Sequence, residues 1–390
     1  MKQLSALIKA HPFLFSYLGV YALLQIGLIY HSGLRFAIPL LFLFFIPFLI
    51  IYSFLSRWSF SISSFELKIK NLDKYLFFLA LLIVLIHFGW LGKIPFIDAW
   101  NASKLSEANI IRKSSSSGLP KWLHYASTWT IRALLPTTAL FFLSKRKMSW
   151  FIFSVGLGCF YGLALLQKSL IFWIGFPVIL YYLFNRKWWH GLLSTSIMIG
   201  LFLVAIFANN PQLHGGEHDL SPPQLEKKDR ANMVSEGVFN RIFIIPGKTM
   251  SMWFTHVPKD KPFLYGRDFG LYARLIDQKA VDYNLELYAF FYPEYAKQGI
   301  KGSVNTAHFM RSYANFGWWG LPISAILLAS FFGFLNNIYR KTNPNLAFSL
   351  QIFPLLLLSS GSLLTLLFSG GWGLILVLIM LSPSKDNLNV

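Results

Sequence analysis

Cysteine is all but missing from this chain. Its single thiol, Cys159, excludes an internal disulfide and any cluster of cysteine ligands around a metal. Apolar neighbours read Cys159 as a small buried hydrophobe. Charge is scarce too: 13% of the 390 residues carry it, where a soluble domain has about a quarter. Acids are scarcer still, 16 against 35 lysines and arginines. No Walker-type phosphate loop is present, the glycines Gly299 and Gly302 stand outside any nucleotide motif, and no serine occupies a Gly-x-Ser-x-Gly elbow. These absences exclude a disulfide scaffold, a cysteine metal centre and a phosphate-loop enzyme.

Long apolar runs are present instead. Hydrophobic residues make up 55% of the chain and aromatics 18%. A helix needs roughly 20 mostly apolar residues to cross a bilayer. The runs 12–31, 36–54, 75–94, 127–143, 149–166, 170–184, 192–208, 317–337, 346–368 and 373–381 give ten candidate spans. The last is short, and the turn before it falls at either 359–362 or 369–371. The first lacks a small-residue cleavage site and reads as a signal anchor. The formal charge of +19 would point to nucleic acid in a soluble protein. In a chain this apolar it points to cytoplasmic loops and anionic headgroups, with no nucleic-acid partner.

Lys2 and Lys9, the group Arg57, Lys68, Lys70 and Lys74, and the turns Lys145-Arg146-Lys147, Arg186-Lys187 and Arg340-Lys341 fall on alternate loops. Ten spans place all of them on the cytoplasmic side. The expected organisation is an N-terminal transmembrane bundle over 1–208, a large exterior loop over 209–310 and C-terminal transmembrane helices over 311–390. A smaller exterior loop covers 96–125. Within the large loop, 214–228 reads as irregular, and 239–254 as a helix broken near Pro246-Gly247 and lying at the bilayer surface.

Most of the candidate chemistry lies in that loop. His214 and His218 flank Glu217, but Gly215-Gly216 argue against the helix that would align them on a metal. No metal site is expected. Arg230, Arg241, Arg267, Arg274 and Arg311 read either as headgroup anchors or, converging on one surface, as bidentate partners of a diphosphate. Lys168 interrupts an apolar stretch, either snorkelling from a tight exterior turn or facing the same anion, and Arg132 poses the same alternatives.

One stretch points to a family. Gly302 to Gly320 contains Asn305, His308, Arg311, Tyr313, Asn315, Phe316, Gly317 and Gly320. It resembles the Asn-x-x-(His or aromatic)…Tyr-x-x-Phe-Gly-x-x-Gly stretch of bacterial Wzy-type O-antigen polymerases, which join oligosaccharide repeat units. Arg241-Ile242-Phe243…Pro246 is similar to the Arg-(apolar)-Phe element of that family's large periplasmic loop. Gln167-Lys168-Ser169 is similar to its basic break between central spans, with Gln167 where glycine or serine is usual. The resemblance implies an all-α polytopic inner-membrane protein of GT-C-like fold. It also implies a glycosyltransferase that works at the periplasmic face on undecaprenyl-diphosphate-linked oligosaccharide, without cofactor or metal. A chain-length regulator is the implied partner. Arg241, Arg311 and His308 become the implied catalytic residues, and Lys168, Arg267, Arg274, Asn305, Tyr313 and Asn315 the substrate-binding ones.

His308, Asp268, Glu286 and Glu294 are candidate general bases, His308 favoured for a pKa near neutrality. Trp253, Tyr272, Tyr288, Phe291 and Tyr292 suit sugar stacking or an interfacial belt. An O-antigen ligase is the nearest alternative. A lipid-linked-oligosaccharide flippase is another, though only Arg132 supplies a clear charge inside a span.

Overall fold

The computed structural model describes residues 7–57, 69, 71–102, 105–208, 240–297 and 302–382. It is 80% helical, with no strand among the described residues, as an all-α membrane protein requires. Every backbone group inside a bilayer must be bonded within the protein, which helices achieve segment by segment. The helices used below are α1 (Pro12–Ser32), α2 (Leu34–Leu55), α3 (Leu72–Leu91), α4 (Leu135–Ser144), α5 (Met148–Ala164), α6 (Lys168–Phe184), α7 (Trp188–Ala208), α8 (Ile245–His256), α9 (Met310–Phe316), α10 (Gly320–Lys341), α11 (Pro344–Leu356) and α12 (Trp372–Met380). Among the described residues, five stretches are long and apolar enough to cross a membrane: α1, α2, α3, Trp188–Phe207 in α7, and Met310–Lys341, which joins α9 to α10.

The chain divides into two compact units, 1–61 with 226–337 and 355–364, and 62–225 with 338–354 and 365–390. This division cuts across the three segments expected from the sequence. Residues 240–297 pack with the first two spans rather than standing apart as a loop domain.

In the first unit, α1 buries Phe13, Tyr17, Leu24 and Leu28. Tyr17 meets Phe48 of α2 edge-on at 5.2 Å and Phe332 of α10 at 5.4 Å. Pro39 supplies no N–H inside α2, and the wider π-helical turn Leu41–Phe45 follows it. The Pro246-Gly247 pair does not break the helix as expected. Pro246 sits in the first turn of α8, and Gly247 presses directly against Gly27 of α1. A Cβ on Gly247 would come within 1.9 Å of the Gly27 carbonyl carbon, so only glycine permits this crossing. α9 and α10 meet at a corner where Gly317 has φ of 59° and Gly320 lies against the Ser312 carbonyl. No side chain fits there without strain.

The second unit contains a helical meander. α4, α5, α6 and α7 are joined by three turns of one geometry, centred on Arg146, Leu166 and Arg186 with φ of 57°, 57° and 58°. At each, the next residue donates its N–H to a carbonyl five residues back, as Lys147 does to Phe142, Gln167 to Gly162 and Lys187 to Tyr182. The conformation at the unusual Gln167 follows: Leu166 takes the left-handed position, Gln167 stays extended, and Lys168 opens α6. Lys145 and Lys147 both bind the fully buried Asp73 of α3, at 3.2 and 3.1 Å.

The expected span over 346–368 is broken. α11 gives way to a tight turn at Leu357–Ser359, a short helix follows at Leu363–Leu367, and α12 begins after Gly371. Both expected turns exist, so the chain breaks twice. At about 1.5 Å rise per residue, the 9 residues of α12 fall well short of a bilayer's apolar core.

Candidate functional site

Helix α9 carries the site. Its C-terminal carbonyls are capped by a loop that approaches from far along the chain: Leu264 N–H bonds Ala314 O at 2.9 Å and Tyr265 N–H bonds Asn315 O at 3.1 Å. The Asn315 side chain locks the arrangement, accepting from Gly266 N–H at 2.7 Å and donating to Arg311 O at 2.8 Å. This clamp brings Asp268 to Arg311. The guanidinium donates through Nε to the Asp268 carboxylate, through Nη2 to the Asp268 carbonyl at 2.9 Å, and through Nη1 to Ser362 Oγ at 3.2 Å. It also lies over the Phe269 ring, 5.5 Å from its centroid.

Asp268 has a side chain 4% exposed. Burial raises its carboxyl pKa above the ordinary carboxylate value, an effect the Arg311 charge and hydrogen bonds partly offset. The pair fixes the guanidinium in one orientation.

Beside Arg311 is a cavity of about 100 Å³. His308, Arg311, Ser312, Asn315, Ser324 and Ser362 supply its polar lining, and Ile323, Leu327, Leu363 and Leu364 its apolar wall. It occupies the corner between α9 and α10, closed by the break after α11. That break is where the chain gives up regular helix, as membrane proteins do where backbone lines a cavity. Leu358 O accepts from His308 N–H at 2.9 Å, tying the break to the site.

His308 corrects an expectation. Its ring is 3% exposed, packs edge-on against Phe44 and Tyr17, and bonds the Tyr17 hydroxyl through Nε2 at 2.8 Å. Burial pushes its pKa down to about 3. The imidazole is therefore neutral and weakly basic, against the near-neutral titration that favoured it as a base.

Of the candidate residues whose side chains are described, the structure brings together Arg311, His308, Asn315 and Asp268. Tyr313 is core: its hydroxyl bonds Val257 O at 2.9 Å and its ring packs on Phe254 and Trp318. Asn305 is exposed and outside the cavity lining. Arg267 turns back to Leu264 O at 3.1 Å and Arg274 to Gly270 O at 3.0 Å, so neither joins Arg311 at the cavity. The side chains of Arg241, Lys168 and Glu294 lie outside the described residues, as do Arg230, His214, Glu217 and His218 entirely. Glu286 is taken up by Lys261 at 2.7 Å.

Among the aromatics, Trp253 and Phe291 are buried, the latter under Lys248, while Tyr272 stays exposed. Arg132 belongs to the second unit, in the π-helical turn Thr130–Leu134 with its guanidinium 5.4 Å from the Trp173 ring. Among the described residues no three His, Cys, Asp or Glu side chains gather as metal ligands.

Sequence reasoning missed Tyr17, Ser312, Ser324 and Ser362, and weighed Asp268 only as a base. The signal for Ser362 was in view, since 359–362 was read as a turn without a reason for a polar turn inside an apolar run.

The helices and this cavity define an α-helical membrane protein with one fixed guanidinium at a polar recess. No family model matches the chain, and no curated protein or solved structure matches it.

Proposed function

We propose that this chain polymerises undecaprenyl-diphosphate-linked oligosaccharide repeat units, as a multi-pass inner-membrane glycosyltransferase acting at the periplasmic face. The observation that carries the reading is the cavity at Arg311. Its polar end holds an oriented cation, and its wall includes Ile323 and Leu327, which are 44% and 48% exposed on a helix apolar enough to cross a membrane. A ligand with an anionic head and a long apolar chain fits that gradient. The motif resemblance around 302–320 supports the same class.

In the reaction, a hydroxyl oxygen of the acceptor repeat unit attacks the anomeric carbon of the donor glycan. The bond from that carbon to the diphosphate oxygen breaks, the electron pair leaves with undecaprenyl diphosphate, and the acceptor hydroxyl releases its proton to water. Arg311 meets the charge that develops on this leaving group, and Asp268 holds Arg311 in place so that little reorganisation is needed. His308, neutral and bonded to Tyr17, shapes the cavity wall. A chain-length regulator is the expected partner, with no metal or cofactor in the chemistry.

Deletion of the gene, followed by separation of the surface glycolipids, tests the reading. A polymerase deletion leaves one repeat unit on the lipid core. Bare core would make the protein a ligase, and an unchanged ladder would remove it from this assembly.

A further inference from the structure

Two serines in the cavity stand out because their hydroxyls are unused. Serines in helices usually turn back to a carbonyl one turn earlier, as Ser16 does to Pro12 O at 3.0 Å, Ser32 to Leu28 O at 2.8 Å and Ser349 to Asn345 O at 2.6 Å. Ser312 and Ser324 make no hydrogen bond to any described residue, yet both line the cavity. Ser324 is only 6% exposed and sits one turn into α10, between the aliphatic wall and Arg311. With no partner among the described residues, these two hydroxyls are left to bond whatever occupies the cavity. The lining thus runs from guanidinium through hydroxyls to Ile323 and Leu327.

We propose that Ser324 and Ser312, together with Arg311, seat the oxygens of the phosphate nearest the lipid chain of a polyprenyl diphosphate. This inference rests on the lipid-diphosphate reading above. The size agrees: the recess of about 100 Å³ is several times the ~10–15 Å³ that one water needs on the same measure. That admits a portion of an anionic head. The chain then leaves along Ile323 and Leu327, and the second phosphate and glycan lie outside the recess.

The test uses the full-length protein in lipid nanodiscs, titrated with a long-chain polyprenyl diphosphate, inorganic diphosphate and the uncharged polyprenol. Wild type should bind the polyprenyl diphosphate far better than either of the others. Ser324→Ala should weaken it about ten- to a hundredfold, the worth of one hydrogen bond to a charged group, and Ser324→Thr should retain most of it. Thermal unfolding separates this role from a structural one. A hydroxyl with no bond to any described residue holds no part of the fold in place, so Ser324→Ala should keep the wild-type melting temperature while affinity falls.

Wild-type affinity in Ser324→Ala, or a melting temperature that falls with affinity, would overturn the assignment. In the first case the serines serve only a water. Wild type that binds polyprenol as well as the diphosphate would sink the lipid-diphosphate reading itself. If Arg311→Ala abolishes binding while Ser324→Ala does not, that reading stands and the seat assignment fails.

Discussion

Arg311 and Asp268 behave as a single unit. The carboxylate and carbonyl of one residue hold two edges of the guanidinium, so removing either partner has a different consequence. Arg311→Ala deletes the cation and should cost on the order of 10²–10³ in polymerisation rate. Arg311→Lys should recover only a fraction of it, because an ammonium cannot reproduce the planar fork. Asp268→Asn keeps the shape but loses the ion pair, and should lower the rate less than Arg311→Ala while leaving the protein folded. Single-turnover assays with lipid-linked repeat units separate the three. An Asp268→Asn enzyme as slow as Arg311→Ala would show that the carboxylate does more than orient.

His308 gives a pH signature of defined sign. Its folded pKa of about 3 lies below the unfolded 6.5, so the folded state binds fewer protons. Its stabilising contribution is complete above pH 6.5 and is lost progressively as pH falls toward 3. Unfolding midpoints measured across that range should fall less steeply for His308→Asn than for wild type. The sequence made Arg311, His308 and Asn315 visible because they share one short stretch. Asp268, 43 residues from Arg311, and Tyr17, 291 from His308, could not be paired without the fold.

Helix α1 presents two glycines with opposite fates. Gly27 is pressed against Gly247, whereas Gly19 on the same helix has open space around its Cα. Gly247→Ala therefore has to push the two backbones apart, an overpacking cost of about 1–3 kcal/mol or more. Gly19→Ala should be neutral or stabilise by about 0.5–1 kcal/mol, as expected of an added helix former. Thermal melts of the two variants in detergent make the comparison, and equal midpoints would contradict the crossing.

At this scale the apolar runs were a good guide to α1, α2, α3, α5 and α6, since length and composition alone decide such helices. They failed over 346–368, where leucines on both sides of Ser359-Ser360-Gly361-Ser362 hide a break that lines a cavity together with residues of α9 and α10. They also misjudged 239–254, because a proline and glycine that usually end a helix here start one and permit a crossing.

For the whole molecule, the alternating basic turns remain the basis for orientation. The three repeated turns place Lys145-Arg146-Lys147 and Arg186-Lys187 at one end of the meander and Leu166 at the other, by the simple reversal of successive helices. Reporter fusions at Ser144 and Thr342 should accordingly be cytoplasmic. Fusions at Ser116 and at Gln224, the latter beyond the described residues, should be periplasmic. A cytoplasmic signal at Gln224 would put the Arg311 cavity on the wrong side for the proposed chemistry. The membrane class was legible from composition alone. The partition into two units was not, because it joins residues 1–61 to 226–337 across the intervening meander, and such pairing leaves no trace in hydropathy.

That pairing also sets an order of assembly. The meander of α4 to α7 is built from neighbours in sequence, which meet early and at little cost in chain entropy. The recess beside Arg311 is not. Its lining residues are held by Tyr17 from the first span, which bonds His308, by Asp268, which bonds Arg311, and by Ser362 from near the end of the chain. During synthesis Tyr17 lacks its His308 partner until the chain has grown past that residue. The recess beside Arg311 is thus completed late, and a chain cut short after α10 would keep its meander but lack Ser362 from the recess.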